Sequence, residues 1–323
     1  MSKERIAVFP HNSVDGDTLG SSLAATLALL KLGKRVSIIY EEDFPDHLST
    51  LRTQRDFFIK YGADDDFDGI TWDAILVFDT ADSKLLGRRE RLLKQTDVLI
   101  NVDHHITNKN FGGYNIIDPK ASATAEMAYA LVTELGVPMD YDIAIAIYTG
   151  ISTDTGGFSY TNTTAASHEI AAETLRFDID VAHLRFKYFD AISIGKLHCH
   201  GYVAKALNLY EDGRYAIAVV DAKAFAEIGA GEDDCEGLVN IGRNVVGVVV
   251  SALAREVRPG EFRVNLRARG DYDVAAVARR FHGGGHKAAA GCTITADANE
   301  IEGILLAALR AGAIPPDANT NAP

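Results

Sequence analysis

Cysteine is nearly missing from this chain: three in 323 residues, at positions 199, 235 and 292. Their spacing matches neither a zinc site nor a paired disulfide framework, and they read as reduced bystanders. Long apolar runs are missing too. The longest, around Val245 to Ala254, ends at Arg255, well short of the roughly 18 residues a bilayer demands, so no membrane partner is expected. The start, Met1-Ser2-Lys3-Glu4-Arg5, passes into a strand-like run without the apolar core or cleavage site of a signal peptide, and a cytoplasmic protein is the expectation. Basic charge is in deficit, with 32 Lys and Arg against 45 Asp and Glu and a net charge of -13. That balance excludes broad electrostatic capture of long nucleic acid, which needs a basic surface. The deficit is uneven: residues 1–204 hold 19 basic and 29 acidic residues, whereas 205–312 hold 13 and 15. A carboxylate-rich first half suits cations, and a balanced second half can present local arginines to an anion.

What is present is a regular alternation. Ile6 to Phe9, Val36 to Tyr40, Ala74 to Phe78 and Val98 to Val102 are short apolar runs, separated by amphipathic stretches at Leu19 to Leu32 and Leu85 to Leu93. Strands that read as continuous apolar runs are buried on both faces, which predicts a doubly wound, mainly parallel sheet covered by helices. Ala123 to Leu135, Tyr141 to Ile151 and Ala165 to Phe177 read as further helices. After a helical connector, Tyr215 to Val220, Val245 to Ala254 and Phe262 to Leu266 read as strands of a second sheet, with helices at Val274 to Phe281 and Glu300 to Ala311. The expected organisation is α/β throughout: a catalytic domain over 1–190, a connector over 191–208, and a smaller α/β domain with a mixed sheet over 209–312, with a cleft between the domains. The tail, 313–323, is rich in Pro and Asn and is expected to be disordered.

Four segments set acidic or imidazole groups just past apolar stretches. "HNSVDGD" holds His11, Asp15 and Asp17; "FDTAD" holds Asp79 and Asp82; "DHHITN" holds Asp103, His104 and His105; "STDTGGF" holds Asp154. Taken singly, each is an ordinary cap or turn sequence. Together they are not, because the carboxyl ends of strands in a doubly wound sheet converge on one crevice. Several carboxylates sharing a crevice repel one another unless cations neutralise them, and Asp with His is a donor set suited to divalent ions such as Mn²⁺.

These four motifs, in this order, resemble the signature motifs of the DHH phosphoesterase superfamily. "FHGGGHKAAAG", Phe281 to Gly291, resembles the glycine-rich motif of the DHH-associated domain. The resemblance spans roughly residues 4 to 311. Val14 stands where relatives usually carry proline, which affects loop stiffness rather than ligand chemistry. The resemblance implies two Mn²⁺ ions, with Mg²⁺ or Co²⁺ as alternatives: one held by His11, Asp15 and Asp79, the other by Asp17, Asp79, His104 and Asp154, so that Asp79 bridges. It implies that His105 faces the substrate phosphate and that Asp103 orients an imidazole. Such an ion pair activates water for in-line attack at phosphorus without a covalent nucleophile.

In the second half, Gly283, Gly284 and Gly285 remove every Cβ from a stretch beside His286 and Lys287, which lets backbone amides approach an anion. By itself such a stretch is equally a flexible turn. "FRVNLRARG" sets Arg263, Arg267 and Arg269 at alternate positions, hence on one face of a strand. By resemblance Arg267 reaches a nucleotide phosphate, for which a planar bidentate donor suits better than lysine. The implied activity is cleavage of very short RNAs and dephosphorylation of adenosine 3',5'-bisphosphate, with short RNA or a small nucleotide as partner, no long nucleic acid, and a homodimer by resemblance. A cyclic-dinucleotide phosphodiesterase is the alternative within the family. A nucleotide sensor without turnover is the alternative of another class, and it predicts a lost metal ligand where none is missing.

Overall fold

The computed structural model describes residues 4–51, 56–62, 67, 69–228, 233–235 and 237–312. The predicted disordered tail lies outside them. The chain divides between Ala191 and Ile192 into two compact units. No described helix is long and apolar enough to cross a membrane.

The first unit is a six-stranded sheet of β1 (Arg5–Phe9), β2 (Arg35–Tyr40), β3 (Phe58–Lys60), β4 (Ala74–Phe78), β5 (Leu99–Asp103) and β6 (Tyr114–Ile117). Its spatial order is β3-β2-β1-β4-β5-β6, and every pairing is parallel. The order reverses between β1 and β4, so the chain leaves these adjacent strands in opposite directions and opens a crevice at their carboxyl ends. Successive residues of β1 serve opposite faces. Ile6 and Val8 pack with Leu19, Leu23, Ile143 and Ile147, while Ala7 and Phe9 pack with Trp72, Leu86 and Leu92.

The first face is covered by α1 (Gly16–Lys31), α2 (Thr124–Glu134) and α3 (Tyr141–Asp154), with α4 (Ala165–Thr174) and α5 (Val181–Arg185) following. Two glycines let α3 pack closely on its neighbours: a Cβ at Gly20 of α1 would strike the Ala146 carbonyl, and one at Gly150 of α3 would strike Ala125 of α2 and Asp17 of α1. That closeness brings the end of α3 up to the start of α1. The second face departs from the sequence expectation, because Leu85 to Leu93 forms 3-10 turns over Ser83–Gln95 rather than one amphipathic helix. Gly87 breaks the segment with φ of 61°. Apolar periodicity was real there, since Leu86 and Leu92 are buried, but it could not reveal the tighter winding.

In the second unit α6 (Ile194–Ala206) precedes β7 (Asn208–Tyr210), β8 (Tyr215–Val220), α7 (Ala222–Ile228), α8 (Val239–Arg243), β9 (Val250–Arg258), β10 (Glu261–Ala268), α9 (Val274–Arg279), β11 (Gly284–His286), β12 (Ala289–Thr295) and α10 (Ile301–Gly312). The sheet runs β11-β12-β10-β9-β8-β7 and is mixed: β8 and β9 are parallel and the other neighbours antiparallel. One face packs on α9 and α10 through Val250, Val264, Val277 and Leu305. The other packs on α6 and α8 through Cys199, Val203, Val239 and Leu253. The strand expected at Val245 to Ala254 begins five residues later, because Gly247 adopts φ of 89° and turns the chain. The predicted loop Gly283–Gly285 is largely strand instead: β11 pairs antiparallel with β12. A Cβ at Gly283 or at Gly285 would strike the β12 backbone, so tight pairing demands these two glycines. At Gly284 a Cβ would meet open space.

Candidate active site

Three strand ends of the first sheet and one helix end supply the side chains. After β1 come His11, Asp15 and Asp17; after β4, Asp79; at the end of β5, Asp103, followed by His104 and His105. Asp154, expected in a loop, is the last residue of α3. The structure brings all of these together. His11 Nε2 lies 3.5 Å from Asp79 Oδ2 and 3.7 Å from Asp15 Oδ2. His104 Nε2 lies 3.7 Å from Asp79 Oδ1, 3.6 Å from Asp154 Oδ2 and 4.0 Å from Asp17 Oδ2. Asp79 therefore turns one oxygen to each imidazole. It does so from the left-handed region, at φ of 56°, a conformation that costs an aspartate energy and persists where its surroundings hold it.

The clusters His11-Asp15-Asp79, Asp17-His104-Asp154 and Asp79-His104-His105 each gather their donor atoms closely enough to hold a metal ion. Gaps of 3.5 to 4.0 Å are long for hydrogen bonds, yet two metal–ligand bonds of about 2.1 Å span them readily. Each ligand-type imidazole is also held from behind. His11 Nδ1 contacts the Asn12 carbonyl and His104 Nδ1 lies 3.1 Å from the Ala121 carbonyl, which turns Nε2 toward the carboxylates.

Several supporting residues were not singled out from the sequence. The N-terminus of α2 clamps Asp17: Thr124 N donates to Oδ2 at 2.6 Å and Ala125 N to Oδ1 at 2.8 Å, while the Thr124 hydroxyl donates to Asp79 Oδ1 at 2.9 Å. Asn162 Nδ2 donates to the Asp154 carbonyl at 3.1 Å and the Ser122 carbonyl at 3.0 Å. Arg89, fully buried, donates to Asn12 Oδ1 and to the Ile39 carbonyl, both at 2.6 Å, and so pins the loop that carries His11. The run "SATAE" after a strand was a visible helix-start signal for the first of these; Asn162 and Arg89 carried no local signal.

His105 is placed differently. Its Nδ1 lies 2.7 Å from Asp103 Oδ1, Asp103 is fully buried, and Asn108 Nδ2 donates to Asp103 Oδ2 at 2.5 Å. The Asp103 hydrogen bond raises the His105 pKa above the ordinary imidazole value. Burial opposes ionisation of Asp103, but its bonds to His105 and Asn108 lower its pKa overall. Asp82, in the second motif, faces away and pairs with Lys109 at 2.5 Å.

The cluster titrates as crowded carboxylates should. Burial and the charges of Asp79, Asp154 and Asp15 raise Asp17 well above the usual carboxylate range. Burial, reinforced by Asp79 and Asp15 against the neighbouring imidazoles, lifts Asp154 to about 6. Burial disfavours charge on His11, yet its hydrogen bonds to Asp15 and Asp79 push it up to about 10. His11 keeps its proton through pH 6 to 9 and a bound cation must displace it, while Asp154 releases its own near the bottom of that range, so cation affinity is expected to rise with pH between 6 and 9, by about tenfold per unit for each proton released. Titration calorimetry in buffers of different ionisation enthalpy checks this; a proton-independent affinity across that range contradicts it.

On the second unit, Arg267, Ala289 and His286 stand opposite one another on β10, β12 and β11, and directly opposed residues share a face. The adjacent row is Asn265, Gly291 and Gly284. The two rows form a floor of Ala and Gly flanked by Arg267, Asn265 and His286. Arg263 is exposed on the same strand, and Arg269 falls beyond its end.

Carboxylates and imidazoles arrayed in overlapping metal-sized groups at the switch point of a parallel sheet, one of them including the aspartate-held His105, define a metal-dependent phosphoesterase of the DHH type. The chain belongs to the DHH family: residues 5–151 match the DHH family, N-terminal domain, and residues 212–311 match the DHHA1 domain. It is 33% identical over 292 residues to the bifunctional oligoribonuclease and PAP phosphatase NrnA of Thermus thermophilus, covering 90% of this chain and 84% of that one. A probable bifunctional oligoribonuclease and PAP phosphatase NrnA of Streptococcus mutans is 26% identical, with 89% of each chain covered. The crystal structure of an exopolyphosphatase-related protein from Bacteroides fragilis superposes with a TM-score of 0.80 at 27% identity, over 96% of this chain and 92% of that one.

Proposed function

We propose that this phosphoesterase is Mn²⁺-dependent, acts in the cytoplasm on short oligoribonucleotides, and removes phosphate from adenosine 3',5'-bisphosphate. The observation that carries the chemistry is Asp79, buried between two imidazoles with one oxygen toward each. In this reading His11, Asp15 and Asp79 hold one ion, and Asp17, Asp79, His104 and Asp154 the other. Bound cations supply charge that activates water and offsets the negative charge developing on phosphate. His105, kept protonated and aimed by Asp103, donates to a phosphate oxygen. Arg267, the glycines 283–285 and His286 grip the nucleotide. The substrate class rests on the two NrnA relatives, each matched over most of its length, and on the acidity of the chain.

A net charge of -13 repels a long polyanion, and counterion-driven binding of long strands needs many phosphate contacts. Local groups must then supply the affinity, and few nucleotides reach them. Turnover with Mn²⁺ is expected to fall steeply from dinucleotides to about five nucleotides and to be poor on a 24-nucleotide RNA. Specificity constants for this length series at physiological salt, with adenosine 3',5'-bisphosphate and a cyclic dinucleotide alongside, test the reading. Equal constants for the dinucleotide and the 24-mer would sink it; a strong preference for the cyclic dinucleotide would transfer the assignment to that substrate.

A further inference from the structure

The fold brings together two cysteines that the sequence separates. Cys199 lies in the middle of α6, and Cys235 ends a 3-10 turn, Asp233–Cys235. Both line one small pocket with Val203, Leu238, Leu253 and Arg255, near enough that each thiol perturbs the titration of the other. The turn is docked on the helix at a second point, because the Asp234 carboxylate accepts from the hydroxyl of Ser193, the N-cap of α6. Cys292 belongs to the core on the opposite face of the sheet and has no part in this pocket. The two members of the pair differ. Cys199 is buried at 2% exposure, whereas Cys235 is partly exposed and shares the pocket lining with Arg255.

From this geometry we infer that Cys199 and Cys235 form a reversible disulfide-forming pair, a modification site that ties α6 to the turn at 233–235 when a low-molecular-weight disulfide such as oxidised glutathione is the oxidant. Cys235, the more accessible of the two, attacks first as its thiolate; burial raises its pKa above the ordinary thiol value and Arg255 offsets only part of that. Its sulfur bonds to one glutathione sulfur, and the other leaves as a thiolate that takes up a proton. Cys199, whose thiol burial pushes up to about 11, then gives up its proton as its sulfur attacks the Cys235 sulfur and expels the second glutathione. Two protein thiols have lost two electrons and two protons, and one oxidised glutathione has become two reduced ones. The bond closes the chain between residues 199 and 235, which restricts the unfolded chain more than the folded one.

The experiment treats the full-length protein with excess oxidised glutathione, quenches by alkylation, and maps peptides without reduction. The expected result is a cross-linked Cys199–Cys235 peptide pair, one remaining thiol at Cys292, and a thermal midpoint raised by about 5 °C and restored by dithiothreitol. Cys199→Ser should instead trap one glutathione on Cys235, and Cys235→Ser should take up none at Cys199. Three intact thiols after prolonged oxidation overturn the inference. So does a wild-type protein that accumulates the glutathione adduct on Cys235 without closing the ring.

Discussion

Asp79→Ala is expected to lower kcat by on the order of 10⁴-fold and to reduce cation uptake at both clusters together, the largest effect of any single substitution. The physical reason is that Asp79, among the described residues, is the carboxylate paired with both His11 and His104, one oxygen to each, whereas Asp15 meets only His11 and Asp17 and Asp154 only His104. Asp15→Ala and Asp154→Ala each remove a carboxylate from one cluster and should leave the other occupied. Isothermal titration with Mn²⁺ and steady-state turnover, run on the three variants, separate these cases. Retention of two tightly held ions in Asp79→Ala, with activity within tenfold of wild type, would falsify the bridging role. Thr124→Val, which removes only the hydroxyl that steadies Asp79 at 2.9 Å, should cost far less, about 10- to 100-fold.

The second large effect is expected at His105. His105→Ala should reduce kcat by about 10²- to 10⁴-fold while cation affinity changes little, because in the proposed mechanism the loss is that of a donor to the reacting phosphate rather than of a ligand. Asp103→Asn probes the same function from behind. The amide occupies the same buried space but no longer supplies the negative charge that raises the His105 pKa, so the activity limb that depends on protonated His105 should move to lower pH. The sign follows from the coupling: a raised pKa keeps the imidazole charged further up the pH scale, and removing its cause withdraws that range. A pH–rate profile of Asp103→Asn identical to wild type, or loss of both ions in His105→Ala, contradicts this assignment. Arg267→Ala should contrast with both, raising KM for nucleotide substrates and leaving cation binding intact.

Much of the candidate site could be read from the chain because its chemistry is concentrated in short motifs. His11, Asp15 and Asp17 follow an apolar strand within eight residues of its end, and the Asp103-His104-His105 triplet closes another. In a parallel sheet such positions have nowhere to go but the common crevice. The alternation of apolar runs was likewise enough for the first sheet's class, since a strand buried on both faces leaves a continuous apolar signature. Strands β3, β6, β7, β11 and β12 escaped. Each is either short or rich in residues without strand preference, and β11 is two glycines and a histidine held in place by β12. The displaced start of β9 and the 3-10 winding of Ser83–Gln95 both turn on one glycine with positive φ, a property that apolar periodicity does not encode.

The amino-acid order alone determined the class of fold, the kind of chemistry and which carboxylates and imidazoles gather at one site, because local patterns of apolarity and charge suffice to say which residues must be buried and which must follow the strand ends. Tertiary structure alone decided the rest. It gave Asp79 its two-sided placement, set the α2 N-terminus on Asp17, brought Asn162 to Asp154 and Arg89 to Asn12, and set Cys199 and Cys235 around one small pocket. All of these join residues distant in sequence, whose meeting depends on strand order and helix crossing. A chain records such contacts only through the packing of everything between them.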